Sequence, residues 1–206
     1  MSLAVVIIAS EKRRESTFPL VLDSVRAQSP DEIVVVADFP CEAKGVRSFY
    51  VAPMTRTTID ALVKRDVGTV ATSSDHICYL CDDHLLAPGF VDVFRDRYEP
   101  WDMLCPARYT VRPNQDVAVP WMGDYHTCAR GDRIWLNVGR DHSYIGGHCG
   151  IYSREIISKL PWSAGPHHRN WDLLYSHELV KRGARLMYAD TDLAVEDIEP
   201  GATPWL

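Results

Sequence analysis

Two apolar, β-branched runs, Leu3 to Ala9 and Glu32 to Ala37, are separated by a segment in which Phe18, Val21, Leu22 and Val25 recur at helical spacing. A continuous apolar run marks a strand covered on both faces, and a 3.6-residue repeat marks a helix with one buried side. Ser29-Pro30 stops that helix, and Asp38 and Pro40 close the second strand. Strand, helix, strand in this order makes a right-handed crossover between parallel strands. The alternation then continues. Ser48 to Val51 reads as a short strand, and a helix runs from Thr57 or Thr58 through Ile59, Leu62 and Val63 toward Gly68, with Lys64 and Arg65 on another face. Ile77 to Cys81 is a strand, Pro88 to about Tyr98 a helix, and Asp102 to Ala107 a further strand. The fold class is therefore α/β, with a Rossmann-like, mostly parallel central sheet flanked by helices.

The second half is less regular. Residues 108–145 carry Pro, Gly, Trp and His without clear periodicity, which implies hairpins and long loops. A short strand at Ile151-Tyr152 precedes Ser153, a helix N-cap with Ile156, Ile157 and Leu160 behind it. After a polar loop from Ser163 to Asn170, Trp171, Leu174, Tyr175 and Leu179 mark one face of a helix that ends near Gly183. Strands follow at Arg185 to Tyr188 and Leu193 to Val195, and the acidic tail from Glu196 is expected to fold back or fray.

The stretch from Ile77 to Phe90 concentrates the chemistry: an apolar strand ends in Cys81, then Asp82, Asp83 and His84 follow at once. Carboxylates at the end of a central strand suit the carboxyl edge of an α/β sheet, where ligands bind. Adjacent carboxylates favour a cation, and oxygen ligands favour Mg²⁺ or Mn²⁺. An exposed acidic turn and helix cap accounts for the same residues without any ligand. At 206 residues with a formal charge of −6, the chain has a substantial core and no global attraction for nucleic acid. Leu3 to Ala9 is too short for a membrane span and lacks a basic flank, so the default compartment is cytoplasmic. The six cysteines form no disulfide framework, and the odd offset of Cys78 and Cys81 on a strand opposes joint chelation of zinc. Cys81 with His84, or His126 with Cys128, stays open as a metal-site contribution.

Taken in order, these motifs resemble the nucleotide-sugar-dependent glycosyltransferases of the GT-A fold, specifically the large family 2 group. Val5 to Ser10 resembles the opening strand and its nucleotide-contacting loop. Val34 to Asp38 resembles the second strand, whose terminal acid contacts base or ribose. Leu62 to Gly68 looks like the Ala-Arg-Asn-x-Gly helix whose arginine approaches the diphosphate. Leu80 to Phe90 looks like the metal-binding DxD segment, and Asn170-Trp171-Asp172 through Leu186 like the helix that carries a catalytic acid near its start. The pattern departs in three places: Cys81 holds the first acidic position of the motif, Trp171-Asp172 replaces a Glu-Asp pair, and Glu196 or Asp197 falls where a histidine often completes the metal site.

The resemblance implies one domain over 1–206, with a nucleotide-sugar-binding half at 1–107 and an acceptor and catalytic half at 108–206. It implies a UDP-sugar as first-choice donor, a divalent cation (Mn²⁺ or Mg²⁺), and an acceptor that is a glycan, a protein or a modified nucleic-acid base. Ala9, Ser10, Glu11, Asp38, Arg65 and Asp82 would hold the donor, and Asp83, His84 and Glu196 the metal. Asp172 would be the general base of an inverting transfer, although a carboxylate there equally serves as a cap on a helix dipole. His148, His167 and His168 are candidate acceptor contacts or loop residues. A non-catalytic nucleotide- or sugar-binding module with a degenerate metal site is the alternative. A sugar-nucleotide nucleotidyltransferase is disfavoured, because Ser10 to Ser16 contains no glycine-rich phosphate cradle.

Overall fold

The computed structural model describes residues 1–54, 57–96, 101–111, 127–130, 133–136, 145, 149–165, 171–189 and 192–198. The first half runs β1 (Leu3–Ala9), α1 (Phe18–Ala27), β2 (Glu32–Ala37), β3 (Arg47–Tyr50), α2 (Thr57–Ala71), β4 (His76–Cys81), β5 (His84–Leu86) and α3 (Phe90–Arg95). β6 (Met103–Cys105) and β7 (Ala107–Val111) are separated by Pro106 alone, and β8 (Thr127–Arg130) and β9 (Arg133–Leu136) come next. β10 (Cys149–Ser153), the single-turn α4 (Arg154–Ile157), α5 (Trp171–Lys181), β11 (Leu186–Tyr188) and β12 (Ala194–Asp197) complete the order.

Seven strands form the main sheet in the order β11-β6-β10-β4-β1-β2-β3. β1 is parallel to β2 and β4, β2 to β3, and β6 to β11, while β10 runs antiparallel to both of its neighbours. The expected mostly parallel α/β sheet is present. Side chains alternate across it as strand geometry requires. Leu3, Val5, Ile7 and Ala9 join the layer under α1 and α3, whereas Val6 and Ile8 join the layer under α2 and α5. α2 lies so close to β1 that a Cβ on Gly68 would stand 2.3 Å from Val6 Cγ1. Cys78 faces the first layer and Cys81 meets Arg65 in the second, as their odd spacing demands.

A second sheet, β5-β12-β7-β9-β8, stands at the carboxyl edge of the first. Two expectations change here. Pro88 does not open a helix. Residues 84–86 form β5, and α3 starts only at Phe90, after Gly89 turns the chain at φ 78°. The segment from Asp102 to Ala107 divides at Pro106 between two sheets instead of forming one strand. Glu196 and Asp197 end β12, which pairs with β5 on one side and β7 on the other, so the acidic tail folds back at its start, and residues 199–206 lie outside the described residues. Ser153 caps α4 as expected, its hydroxyl accepting the Ile156 N–H at 3.3 Å. Among the described residues, no helix is long and apolar enough to cross a membrane.

Candidate functional site

The turn Asp82-Asp83 joins β4 to β5 and so joins the two sheets. Its backbone is held from both sides: Thr17 Oγ1 donates to the Asp82 carbonyl at 2.5 Å, and the Ile198 N–H to the Asp83 carbonyl at 2.9 Å. The Asp82 carboxylate is buried, and its Oδ2 accepts both the N–H and the hydroxyl of Ser10, at 2.8 and 2.9 Å. The loop after β1 is thereby docked onto the end of β4. Arg13, on the 3-10 turn that follows, places one nitrogen 2.9 Å from Asp82 Oδ1 and another 2.7 Å from Asp83 Oδ2. Burial pushes the Asp83 carboxyl up, but the hydrogen bond with His84 and the charges of His84, Arg13 and Arg108 hold it below the usual carboxylate value.

His84 Nδ1 lies 2.7 Å from Asp83 Oδ1, and His84 Nε2 lies 3.8 Å from Asp197 Oδ1. Arg108 pairs with the other oxygen of Asp197. These positions follow from register, since His84 stands opposite Asp197 in the β5–β12 ladder. Asp83, His84 and Asp197 each offer one ligand atom, and the three atoms lie within 4.8 Å of one another. They fit a divalent cation. Glu196, expected as the third ligand, is not in this group: it is the buried neighbour of Asp197, and successive strand residues point to opposite faces.

Across β1, Asp38 Oδ1 accepts the Glu11 N–H at 2.5 Å. Lys64 extends to the same place. Its buried ammonium donates to the Ala9 carbonyl at 2.9 Å and pairs with Asp38 at 3.2 Å and Asp60 at 2.7 Å. Helical side chains lean toward the helix N-terminus. α2 runs against the strands, so that lean carries Lys64 and Arg65 up to the carboxyl edge. Ala9, Ser10, Glu11, Asp38 and Asp82, the residues named above as candidate donor contacts, therefore meet along one rim. The sequence reading missed Lys64 and Arg13, whose signals were a lysine within the α2 repeat and the basic character of the loop after β1.

Arg65 is placed differently from the expected diphosphate contact. Only 2% exposed, it lies among aromatic rings: 4.6 Å from the centre of Trp171, 5.5 Å from Trp162 and 6.0 Å from Tyr79. It also hydrogen-bonds Cys81, whose thiol is pushed up to about 11 by burial, against the opposing charge of Arg65. Arg65 thus ties the end of β4 to the first turn of α5, where Asp172 follows Trp171. The half-buried Asp172 accepts the N–H of Leu173 at 2.9 Å. His126, His148, His167 and His168 lie outside the described residues.

No protein-family model matches the sequence, and no curated protein matches it in sequence. Solved structures do match in three dimensions. GalNAc-T7, solved with UDP, GalNAc and Mn²⁺, is similar with a TM-score of 0.65 and 14% identity, over 97% of this chain and 44% of that one. TarS of S. aureus, residues 1–349, gives 0.63 and 12%, over 96% and 60%. The mannosyltransferase PcManGT from Pyrobaculum calidifontis, in complex with GDP-Man and Mn²⁺, gives 0.61 and 10%, over 96% and 57%. The chain spans about half the length of these proteins. At identities this low the three-dimensional likeness shows the fold alone, and that fold is GT-A.

Proposed function

We propose that this chain transfers a sugar from a nucleoside-diphosphate sugar to an acceptor hydroxyl, with a divalent cation as cofactor. The observation that carries the reading is the Asp83, His84 and Asp197 trio beside the Asp82 turn, at the carboxyl edge of a GT-A sheet. Two similar structures hold UDP or GDP-mannose together with Mn²⁺, which supports a donor of this chemical class, a UDP-sugar first. Two carboxylates and an imidazole favour Mn²⁺ over Mg²⁺, which prefers oxygen and water. The cation supplies positive charge to the leaving diphosphate as negative charge grows there.

The chain's own residues do the remaining work. Ala9, Ser10, Glu11 and Asp38 bind base and ribose, and Asp82 fixes that rim through Ser10. Asp83, His84 and Asp197 hold the ion. Arg65 acts through Trp171, keeping the first turn of α5 against the end of β4. Asp172 takes the proton of the acceptor hydroxyl as its oxygen attacks the anomeric carbon, and a single displacement inverts the configuration. Residues 108–206 provide the acceptor side.

The alternative is a nucleotide-binding module without transfer, favoured by one observation: the half-buried thiol of Cys81 stands where the resemblance puts an acid. A panel of UDP- and GDP-sugars incubated with Mn²⁺ separates the two. Slow release of UDP or GDP from one sugar, dependent on Mn²⁺, is expected. Binding without release across the panel selects the module, and neither binding nor release defeats both readings.

A further inference from the structure

We infer that Arg13 is an exchangeable counter-cation, which leaves the Asp82–Asp83 pair for a diphosphate when a divalent ion takes its place on Asp83. The inference rests on the transferase reading and goes further, because it assigns a role to a residue outside the expected donor and metal sets. Arg13 forks across two adjacent carboxylates, 2.9 Å from Asp82 and 2.7 Å from Asp83. Both oxygens of Asp83 therefore face nitrogen, Oδ1 toward His84 Nδ1 and Oδ2 toward Arg13. An ion ligated by Asp83 would share that carboxylate with a guanidinium, and two cations this close repel.

The surroundings let the arginine go. Without it Asp82 keeps the Ser10 N–H and hydroxyl on Oδ2, and only Oδ1 gives up a partner. Arg13 sits on a three-residue 3-10 turn, Glu11–Arg13, that has no buried residue, and its side chain is 36% exposed. The arm can swing on its solvent side while the loop stays docked. Released from carboxylates, a guanidinium fork is matched by phosphate oxygens, to which it donates two parallel hydrogen bonds. Metal and diphosphate then help each other to bind: the ion frees the arginine, and the diphosphate receives it.

The test is a binding cycle that needs no turnover. Free Mn²⁺ is titrated by electron paramagnetic resonance with and without saturating UDP, for the unaltered chain, Arg13→Gln and Arg13→Lys, after melting curves confirm folding. UDP is expected to tighten Mn²⁺ binding about tenfold or more in the unaltered chain, within the usual range of coupling between sites. In Arg13→Gln, Mn²⁺ alone binds several-fold more tightly than in the unaltered chain, and UDP tightens it by a smaller factor, the part owed to the direct attraction of ion and diphosphate. Arg13→Lys falls between them, since an ammonium is a point charge without the fork. Equal Mn²⁺ affinity in the unaltered chain and Arg13→Gln, or coupling undiminished by the substitution, overturns the role of Arg13 and leaves the transferase reading standing. Absence of Mn²⁺ binding in every chain, with or without UDP, overturns both.

Discussion

Asp197 holds one carboxylate oxygen 3.8 Å from Nε2 of His84 because β12 pairs with β5 in the register that sets these two residues opposite each other. Glu196, one position earlier, is paired with Leu85. The two acids are thus separable by experiment. Asp197→Asn should weaken Mn²⁺ binding at least about tenfold, the scale of losing a group at a metal site. Glu196→Gln should leave the Mn²⁺-dependent rise in melting temperature in place. The increment with and without Mn²⁺ is the measurement, so any change in baseline stability cancels. A lost increment in Glu196→Gln and a retained one in Asp197→Asn would reverse the assignment.

Asp172→Asn should keep the stabilisation given by UDP and Mn²⁺, because the substitution preserves shape at the start of α5. Transfer to an acceptor should fall about 10²–10⁴-fold, the usual worth of a general base. Thermal shifts and product formation measured on the same preparation check both halves. Full turnover would leave Asp172 as a helix-capping residue only.

The contact of α2 with β1 predicts a loss of stability far from the carboxyl edge. Gly68→Ala adds a Cβ that would meet Val6 Cγ1 at 2.3 Å, so the helix or the strand must shift. A cost of about 1–3 kcal/mol is expected, the range for overpacking a filled core. Val6→Ala in the same chain should recover part of it. Urea unfolding of the two single variants and the double variant measures the coupling directly.

Glu32 predicts a pH dependence. Its Oε1 accepts the hydroxyl and N–H of Ser74 and the hydroxyl and N–H of Ser73, at 2.6 to 3.0 Å. Burial pushes its carboxyl up, but these hydrogen bonds win and bring it from 4.5 to about 2. A carboxyl lowered by folding stabilises fully above its unfolded value, and that stabilisation disappears as pH falls from about 4.5 toward about 2. Glu32→Gln should therefore flatten stability against pH in this window and cost about 1–3 kcal/mol at neutral pH. Denaturant midpoints measured across the window test it, and an unchanged slope would refute it.

Local patterning made the first sheet readable. The β-branched runs of β1 and β2, the stop at Ser29-Pro30 and the repeat in α1 depend on near neighbours, so periodicity finds them. What escaped depends on partners far along the chain. Nothing near Glu196 and Asp197 reveals that they close a second sheet, and nothing near Pro88 shows that residues 84–86 pair with them. Arg65 was legible as a cation on a helix but not as one enclosed by Trp162 and Trp171, because those rings arrive from the last third of the sequence. Arg13 stood in a loop whose basic character was visible, yet its carboxylate partners come from another strand.

The Asp82-Asp83 turn is fastened by its main chain, through Thr17 on one side and Ile198 on the other, while the Asp83 carboxylate faces His84 and Arg13. At Asp83, mechanical hold and charge are thus assigned to different atoms of one residue. Substituting the Asp83 carboxylate would alter what the turn attracts without unfastening the seam between the sheets. A lineage could on this scaffold trade one bound ion for another, or dispense with the ion, and keep the joint intact.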